Sequence, residues 1–180
     1  MTPRLEVQPT LTPEEYELTV QEILDGAGVD LADFRSAHLE KVAGVDGDYI
    51  FDITVRFRAL GADFLVIVEC KHERRKVERQ DVQILHDKIR STGAHKGILC
   101  SIAGFQSGTI EYAAVHGIAL VQMVDGASTW FTKSIHSASS PPPWANSPKY
   151  VGWWCRGNSM SLMSADVGEY TRQALGIDQV

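Results

Sequence analysis

Cysteine and long apolar runs are scarce in this chain of 180 residues. Its three cysteines, Cys70, Cys100 and Cys155, are odd in number and widely spaced, which argues against a disulfide framework or a cysteine-rich zinc site and indicates reduced thiols. No stretch approaches the ~20 apolar residues that span a membrane, and the polar N-terminal segment does not resemble a signal peptide. We therefore expect a cytoplasmic protein that has no membrane partner.

Internal repeats are also absent, and the length suits a single α/β domain with a sizeable hydrophobic core. Residues 134–148 are rich in serine and proline, a composition that is typical of linkers. We therefore expect a domain over residues 1–133, a linker over residues 134–148 and a tail over residues 149–180.

The tail is marked by aromatic residues. Tyr150, Trp153 and Trp154 either pack against their own domain or form a surface for a partner. A helix is predicted after them, over residues 165–175. The segment after Pro143 is therefore the place where we expect an interface with a second copy or with another protein.

Positive charge is in the minority, because the net charge is −6 at pH 7, and this by itself argues against a nucleic-acid partner. The distribution of the charges changes that conclusion. Residues 1–52 contain twelve acidic and three basic residues, whereas residues 71–96 contain eight basic and four acidic ones. Such a basic segment is either a solvated helix face or the place where a phosphodiester backbone lies. Its candidate contacts with nucleic acid are Arg74, Arg75, Lys76 and Arg79.

The stretch over residues 49–71 carries the strongest pattern in the chain. Two runs of strand-forming residues flank a short break at Leu60-Gly61, which predicts a β-hairpin. If the chain turns there, Asp52 lies opposite Glu69 with the two Cβ atoms about 5 Å apart, and Lys71 projects from the same face. The alternating residues of the first run are expected to share one buried face; they are Tyr49, Phe51, Ile53, Val55 and Phe57.

Two carboxylates and an ammonium group on otherwise apolar strands require an explanation, because burying an unpaired charge is costly. One reading is a structural ion pair of Lys71 with Asp52 or Glu69. The other is a divalent-metal site, since Mg²⁺ prefers oxygen ligands and is usually held by one or two carboxylates together with substrate phosphate. A lysine beside such a site can orient an attacking water and neutralise charge on the phosphate. The residue types alone leave both readings open.

The first helix is signalled by its N-terminal cap. Thr12, Pro13 and Glu15 form the pattern of a capping box with proline in the first helical turn. The apolar residues that follow recur at helical spacing and predict a buried stripe; they are Tyr16, Val20, Ile23, Leu24 and Ala27.

Asp52 followed by Glu69-Cys70-Lys71 resembles the D…ExK signature of the PD-(D/E)XK nuclease superfamily, and its setting is similar to the catalytic domain of Mrr-like restriction endonucleases. The order of predicted elements between residues 13 and 125 also resembles that core: helix, three strands, helix, strand, helix, strand. The resemblance implies an α/β fold with a mixed central sheet flanked by helices. It says nothing about the tail.

The resemblance also implies roles for individual residues. Asp52 and Glu69 would hold Mg²⁺, for which Mn²⁺ can substitute, together with the backbone carbonyl of Cys70, and Lys71 would orient the attacking water. Gln83, on a helix predicted over residues 77–91 and expected to face the sheet, would either assist at the phosphate or bond the backbone. Further candidates are Glu17 in the first helix, Asp48 as the alternative to Asp52, and Ser101 as a nucleic-acid contact at the end of the fourth strand.

The function that these features predict is metal-dependent hydrolysis of DNA phosphodiester bonds by an endonuclease, in restriction or phage defence. No separate DNA-reading module is evident, so a homodimer or a partner protein would supply target recognition. Two alternatives stay open, a structure-specific nuclease similar to junction resolvases and a degenerate nuclease fold that only binds DNA or assembles a complex. The complete set of Asp52, Glu69 and Lys71 argues against the degenerate fold.

Overall fold

A computed structural model describes residues 8–28, 31–126, 148–166 and 168–177 of the chain. The linker expected over residues 134–148 lies outside these residues except for its last position. The described elements are α1 (Pro13–Asp25), β1 (Ala32–Gly44), β2 (Gly47–Ala59), β3 (Ala62–Lys71), α2 (Arg79–Thr92), β4 (Lys96–Ser101), α3 (Ser107–Val115), β5 (Ala119–Asp125), β6 (Tyr150–Arg156), β7 (Ser159–Met163) and α4 (Glu169–Leu175).

All the described strands form one mixed sheet, in which they lie side by side in chain order. The strands β1, β2 and β3 are antiparallel, β3, β4 and β5 are parallel, and β5, β6 and β7 are antiparallel again. The helices α1 and α4 cover one side of the sheet, here called the first face, and α2 and α3 cover the other, the second face. The predicted α/β fold and the order of elements from α1 to β5 are confirmed. No helix of the described residues is long and apolar enough to cross a membrane.

The strands β2 and β3 form the predicted hairpin in the predicted register. Ile53 pairs with Val68, and the pairing continues to the turn at Leu60 and Gly61. Both turn residues have positive φ, 51° and 77°, which is the backbone that a two-residue type I′ turn requires. The recorded pairing ends at Ile53 and Val68, one residue before Asp52, so the predicted pair of Asp52 with Glu69 is not part of the ladder.

The helix α1 begins at the predicted cap and packs on the first face. The Thr12 hydroxyl accepts a hydrogen bond of 3.2 Å from the Glu15 N–H, and the Glu15 carboxylate accepts one of 2.8 Å from the Thr12 N–H. This reciprocal pair satisfies two N–H groups that a helix start would otherwise leave unpaired. All five residues of the predicted stripe are buried in the first-face core, namely Tyr16, Val20, Ile23, Leu24 and Ala27.

The helix α2 packs closely on the second face, above β3 and β4. Val82 and Leu85 are buried in the core of this face. At Gly97 of β4, a Cβ atom would lie 2.4 Å from the Cδ1 atom of Ile89, so a larger residue there would displace the Ile89 side chain. This close approach brings the outer side chains of α2 within reach of the end of β3.

Residues 150–163, which were expected in a separate tail, extend the sheet. The strand β6 pairs with β5 from Tyr150 to Cys155, and Trp153 and Trp154 lie in it with their side chains partly buried. Of the two roles considered for these aromatics, the structure shows packing on their own domain. The helix expected over residues 165–175 begins later, at Glu169.

The strand β2 departs from the predicted alternation of buried residues. Ile53 and Phe57 lie in the first-face core, but Phe51 lies in the second-face core with Tyr49 packed at its margin. The prediction that these residues share one face is therefore wrong, because the strand changes faces at Asp52.

Candidate functional site

The carboxylate of Asp52 is bound to the backbone of β3. Its Oδ2 atom accepts a hydrogen bond of 2.6 Å from the Cys70 N–H group. The last main-chain pair between β2 and β3 is Ile53 with Val68, so the Asp52 side chain bonds β3 at the point where the main chain of β2 no longer does. The carboxylate thereby reaches the main chain of the strand segment that carries Glu69 and Lys71.

Glu69 lies on the second face and is held by α2. Its Oε1 atom accepts a hydrogen bond of 2.5 Å from the Lys88 ammonium group, and the two side chains are only 17% and 24% exposed. Burial raises the pKa of Glu69, and the neighbouring charge of Asp52 raises it further, while Lys88 acts against both effects. The two carboxylates therefore lie close enough to repel each other.

Lys71 lies on the same face as Glu69, two residues further along β3. Its ammonium nitrogen is 3.6 Å from a carboxylate oxygen of Asp81 on α2, and the Lys71 side chain is 33% exposed. A small cavity of about 30 Å³, here called the α2 cleft, is lined by Glu69, Lys71, Asp81, Ile84, Leu85, Lys88 and Leu99. Its volume and charged lining suit one or two water molecules.

The donor atoms at this site suit a hard divalent cation. Among the described residues, no three or more side chains of His, Cys, Asp or Glu are grouped so that they could hold a metal ion. Asp52 and Glu69, however, each keep one carboxylate oxygen for which the described residues offer no hydrogen-bond partner. Mg²⁺ is commonly held by one or two carboxylates, with water and substrate phosphate completing its shell. A cation would also relieve the repulsion between the two carboxylates, so the residues fit Mg²⁺ or Mn²⁺.

Glu17 approaches the same region from the first face. Its carboxylate lies 2.6 Å from Nε2 of His38 on β1, and both side chains are about one-fifth exposed. The pKa of the Cys70 thiol is raised by its contact with Cys100 and by burial, and the charges of Asp52 and Glu17 raise it further. Both carboxylates thus lie within electrostatic reach of one thiol, and the hydrogen-bond partner of Glu17 is His38 on the first face, whereas Glu69 and Lys71 lie on the second face.

Gln83 does not lie where it was predicted. Its side chain is exposed, and it follows the buried Val82 by one residue, a step that turns the helix by about 100° away from the core. The prediction that Gln83 faces the sheet is therefore wrong. The α2 residues that face the cleft with polar groups are Asp81 and Lys88.

Ser101 has a different role from the predicted contact with nucleic acid. Its side chain is fully buried at the end of β4. The hydroxyl donates a hydrogen bond of 3.3 Å to the Gly104 carbonyl and accepts one of 3.1 Å from the Ala103 N–H. Ser101 therefore stabilises the turn after β4 and offers no surface to a ligand.

Asp48, the alternative to Asp52, lies at the distant end of β2. Its carboxylate forms an ion pair of 2.7 Å with Lys41, and both side chains are more than half exposed. The observed register places Asp52, and not Asp48, beside Glu69.

The predicted basic contacts fall into two groups. Arg75 is surrounded by three acidic residues, of which Glu73 is nearest at 2.6 Å, so its charge is neutralised locally. Arg74 and Lys76 are exposed and form no ion pair within the described part of the chain. The Arg79 guanidinium stacks 5.0 Å above the ring of Tyr112 on α3. Arg74, Lys76 and Arg79 are thus the cations that remain available to a phosphate backbone.

Two α2 residues that pair with the charges of the site, Asp81 and Lys88, were not predicted to do so. Lys88 belonged to the predicted basic segment, and Asp81 carried no prediction. A signal for them exists, because Asp81 and Lys88 are seven residues apart and therefore share one helix face, with charges complementary to Lys71 and Glu69 on the strand.

Comparisons with known proteins place this geometry in context. A family model for a restriction endonuclease, the Mrr catalytic domain, matches residues 9–128. No curated protein matches the chain. Among solved structures, the crystal structure of a protein of unknown function, AF1548, is similar with a TM-score of 0.48 and 13% sequence identity, over 59% of this chain and 55% of that one. The match therefore spans about half the length of that protein.

Proposed function

The chain belongs to the restriction endonuclease family, and on this premise we propose that it is a Mg²⁺-dependent endonuclease that hydrolyses phosphodiester bonds in DNA. Domains of this family are nucleases, that is, hydrolases with DNA as their substrate, and the family generally uses divalent metals. The observation that carries the proposal is the hydrogen bond from the Cys70 N–H group to Asp52, which brings this carboxylate to the strand segment of Glu69 and Lys71.

In this proposal Asp52 and Glu69 hold the metal ion, with the carbonyl of Cys70 as a further ligand. When bound, Mg²⁺ would lower the pKa of a bound water and neutralise charge on the phosphate. The protein orients both carboxylates beforehand, since Asp52 is held by the Cys70 N–H and Glu69 by Lys88. Groups that are ordered before the substrate arrives lose little conformational entropy during the reaction.

Lys71 orients the attacking water and stabilises the phosphate. Its ammonium group lies in the α2 cleft and is partly exposed, so water or a phosphate oxygen can reach it. The water oxygen forms a new bond to phosphorus and gives up a proton to the solvent, one P–O ester bond breaks, and the leaving oxygen takes up a proton from the solvent. The positive charge of Lys71 acts on the negative charge that develops at the phosphate oxygens.

Restriction of foreign DNA, such as phage DNA, is the physiological setting that we propose, with the reaction taking place in the cytoplasm. Arg74, Lys76 and Arg79 would contact the DNA backbone beside the site, and a second copy or a partner protein would supply target recognition. Phage plating on cells with and without the active protein tests this setting. Equal plating efficiencies would contradict it.

Substitution of Lys71 tests the site. Lys71→Ala should lower the rate at which plasmid DNA is cut in the presence of Mg²⁺ by about a hundredfold to a thousandfold, since it removes charge stabilisation from the transition state. Lys41→Ala is the matched control, because it removes a lysine from the exposed ion pair between β1 and β2. Circular dichroism and a DNA-binding assay would show that both variants fold and bind. Cutting at the wild-type rate by a folded Lys71→Ala protein would remove Lys71 from the mechanism.

Metal affinity tests the two carboxylates separately from activity. Asp52→Asn and Glu69→Gln each replace a charged oxygen ligand by an amide, so calorimetry should show weaker binding of Mg²⁺ in both. Unchanged affinity in both variants would argue against the site. Parallel assays on linear and branched duplexes distinguish this enzyme from a junction resolvase, which would prefer the branched substrate.

A further inference from the structure

In the hairpin of β1 and β2, the face to which alternate side chains point changes at a single pair of opposed residues. In a regular strand, residues two apart point to the same face. Here His38 contacts Glu17 of α1 on the first face, whereas Glu40, two residues later, pairs with Phe51 of the second-face core. The pairing offset is the same on both sides of the change, so no residue is inserted. The residues between are Leu39 on β1 and, opposite it, Asp52.

The backbone of Leu39 explains the change. Its φ angle is +53°, in the left-handed region that residues other than glycine rarely adopt, whereas Asp52 is not among the described residues with positive φ. The Leu39 side chain is 56% exposed, so burial of that side chain does not hold the conformation in place. Unfavourable conformations of this kind persist where the surrounding structure imposes them, and they cluster at functional sites.

The change of face determines where Asp52 points. Beyond Ile53 the main chain of β2 no longer pairs with β3, and the Asp52 carboxylate accepts the Cys70 N–H instead. We propose that Leu39 is a positioning residue, whose left-handed backbone turns the hairpin at Asp52 and sets this carboxylate on the Cys70 N–H. The proposal rests on the proposed function only in taking Asp52 as a metal ligand.

Four variants separate the backbone of Leu39 from its side chain. Leu39→Gly removes the side chain and Leu39→Asn replaces it with a polar one, and both tolerate a positive φ, whereas Leu39→Val keeps an apolar side chain and disfavours it. Leu60→Val is the matched control, because Leu60 also has positive φ and is 86% exposed, but lies in the turn between β2 and β3. All four are measured beside the wild type and Asp52→Asn.

Hydrogen exchange of the Cys70 amide in metal-free protein reports on the hydrogen bond directly, and cleavage kinetics with Mg²⁺ report on its consequence. Leu39→Val should exchange this amide about tenfold faster and lower kcat by about tenfold, with KM for DNA changed by less than about twofold. Leu39→Gly, Leu39→Asn and Leu60→Val should stay near the wild type in both measurements.

Two results would overturn the role of Leu39. One is a Leu39→Val protein that matches Leu60→Val in amide exchange and kcat; the other is equal loss in all three Leu39 variants, which would assign the effect to the side chain. If Leu39→Val does not fold, Leu39→Ala and Leu39→Gly take its place, and the glycine variant must then protect the Cys70 amide better. Wild-type cleavage by Asp52→Asn would refute the proposed function instead, while the exchange data would still test Leu39.

Discussion

Removal of Lys88 should leave the Glu69 carboxylate buried beside Asp52 without a cation, and a double-mutant cycle measures what the ion pair contributes to stability. At the observed separation of 2.5 Å, Coulomb's law gives about 7 kcal/mol for an effective dielectric constant of about 20. Lost hydration of the two groups offsets several kcal/mol of this, and both side chains keep some exposure to water. We therefore expect a coupling free energy of about 2–3 kcal/mol for Lys88 and Glu69 in the metal-free protein.

The cycle consists of Lys88→Met, Glu69→Gln and the double variant, each unfolded with urea in the presence of a chelator. A second cycle on the exposed pair, with Lys41→Met and Asp48→Asn, is the control and should give at most about 0.5 kcal/mol. Raising the salt concentration to about 1 M should abolish the control coupling and leave most of the other, because buried pairs are screened less. A Lys88–Glu69 coupling no larger than that of the control would refute the reasoning.

Three further predictions concern stability and assembly. Hydrogen bonds from Ser91 and Tyr49 lower the pKa of Asp46, so its ionised form stabilises the fold. This contribution is lost as the pH falls from the unfolded pKa near 3.8 towards the lowered folded value. In urea unfolding, Asp46→Asn should therefore lose less stability than the wild type on acidification, and an equal loss in both proteins would contradict this. Thr12→Ala should lower the free energy of unfolding by about 1 kcal/mol by removing the cap of α1, and an unchanged urea midpoint would speak against it. The active protein should be at least a dimer, or need a partner protein, in light scattering; a fully active monomer would exclude this.

The prediction of a dimer or a partner protein cannot be tested by deleting the chain after Pro143. That deletion would remove β6 and β7, and with them buried residues such as Val151 and Met163. Loss of assembly could then follow from loss of the fold. Full-length protein is therefore the material to measure.

The sequence predicts best those features that neighbouring residues determine. The cap at Thr12 and Glu15 and the turn at Leu60-Gly61 depend on local hydrogen bonds and backbone preferences, and both are found as predicted. The turn then determines the register of β2 and β3 as far as Ile53 and Val68, and from there the Asp52 carboxylate reaches the Cys70 N–H beside Glu69. The core of the candidate site was accessible to prediction for this reason.

The strands β6 and β7 were missed because their partner is distant in the sequence. β6 pairs with β5 across the segment of 127–147, so no short-range turn signal announces it. Its residues also include Gly152 and two adjacent tryptophans, a pattern without the alternation of a half-buried strand. The need for glycine at position 152 arises only in the assembled sheet, since a Cβ atom there would lie 2.6 Å from the side chain of Val121 on β5.

The surroundings of the site depend on how α2 is seated, which a pattern along one chain segment does not contain. Strand residues two apart share a face, and so do helix residues seven apart, but only the packing of α2 on β4 decides which helix face meets which strand residues. Gln83 was predicted to face the sheet, but the packing of α2 places Asp81 and Lys88 against Lys71 and Glu69 instead. The same packing explains why Glu69 and Lys71 each face an α2 residue of opposite charge. Without Asp81 and Lys88, the charges of Glu69 and Lys71 would be buried without compensation. The helix therefore supplies part of the compensating charge on which the candidate metal site depends.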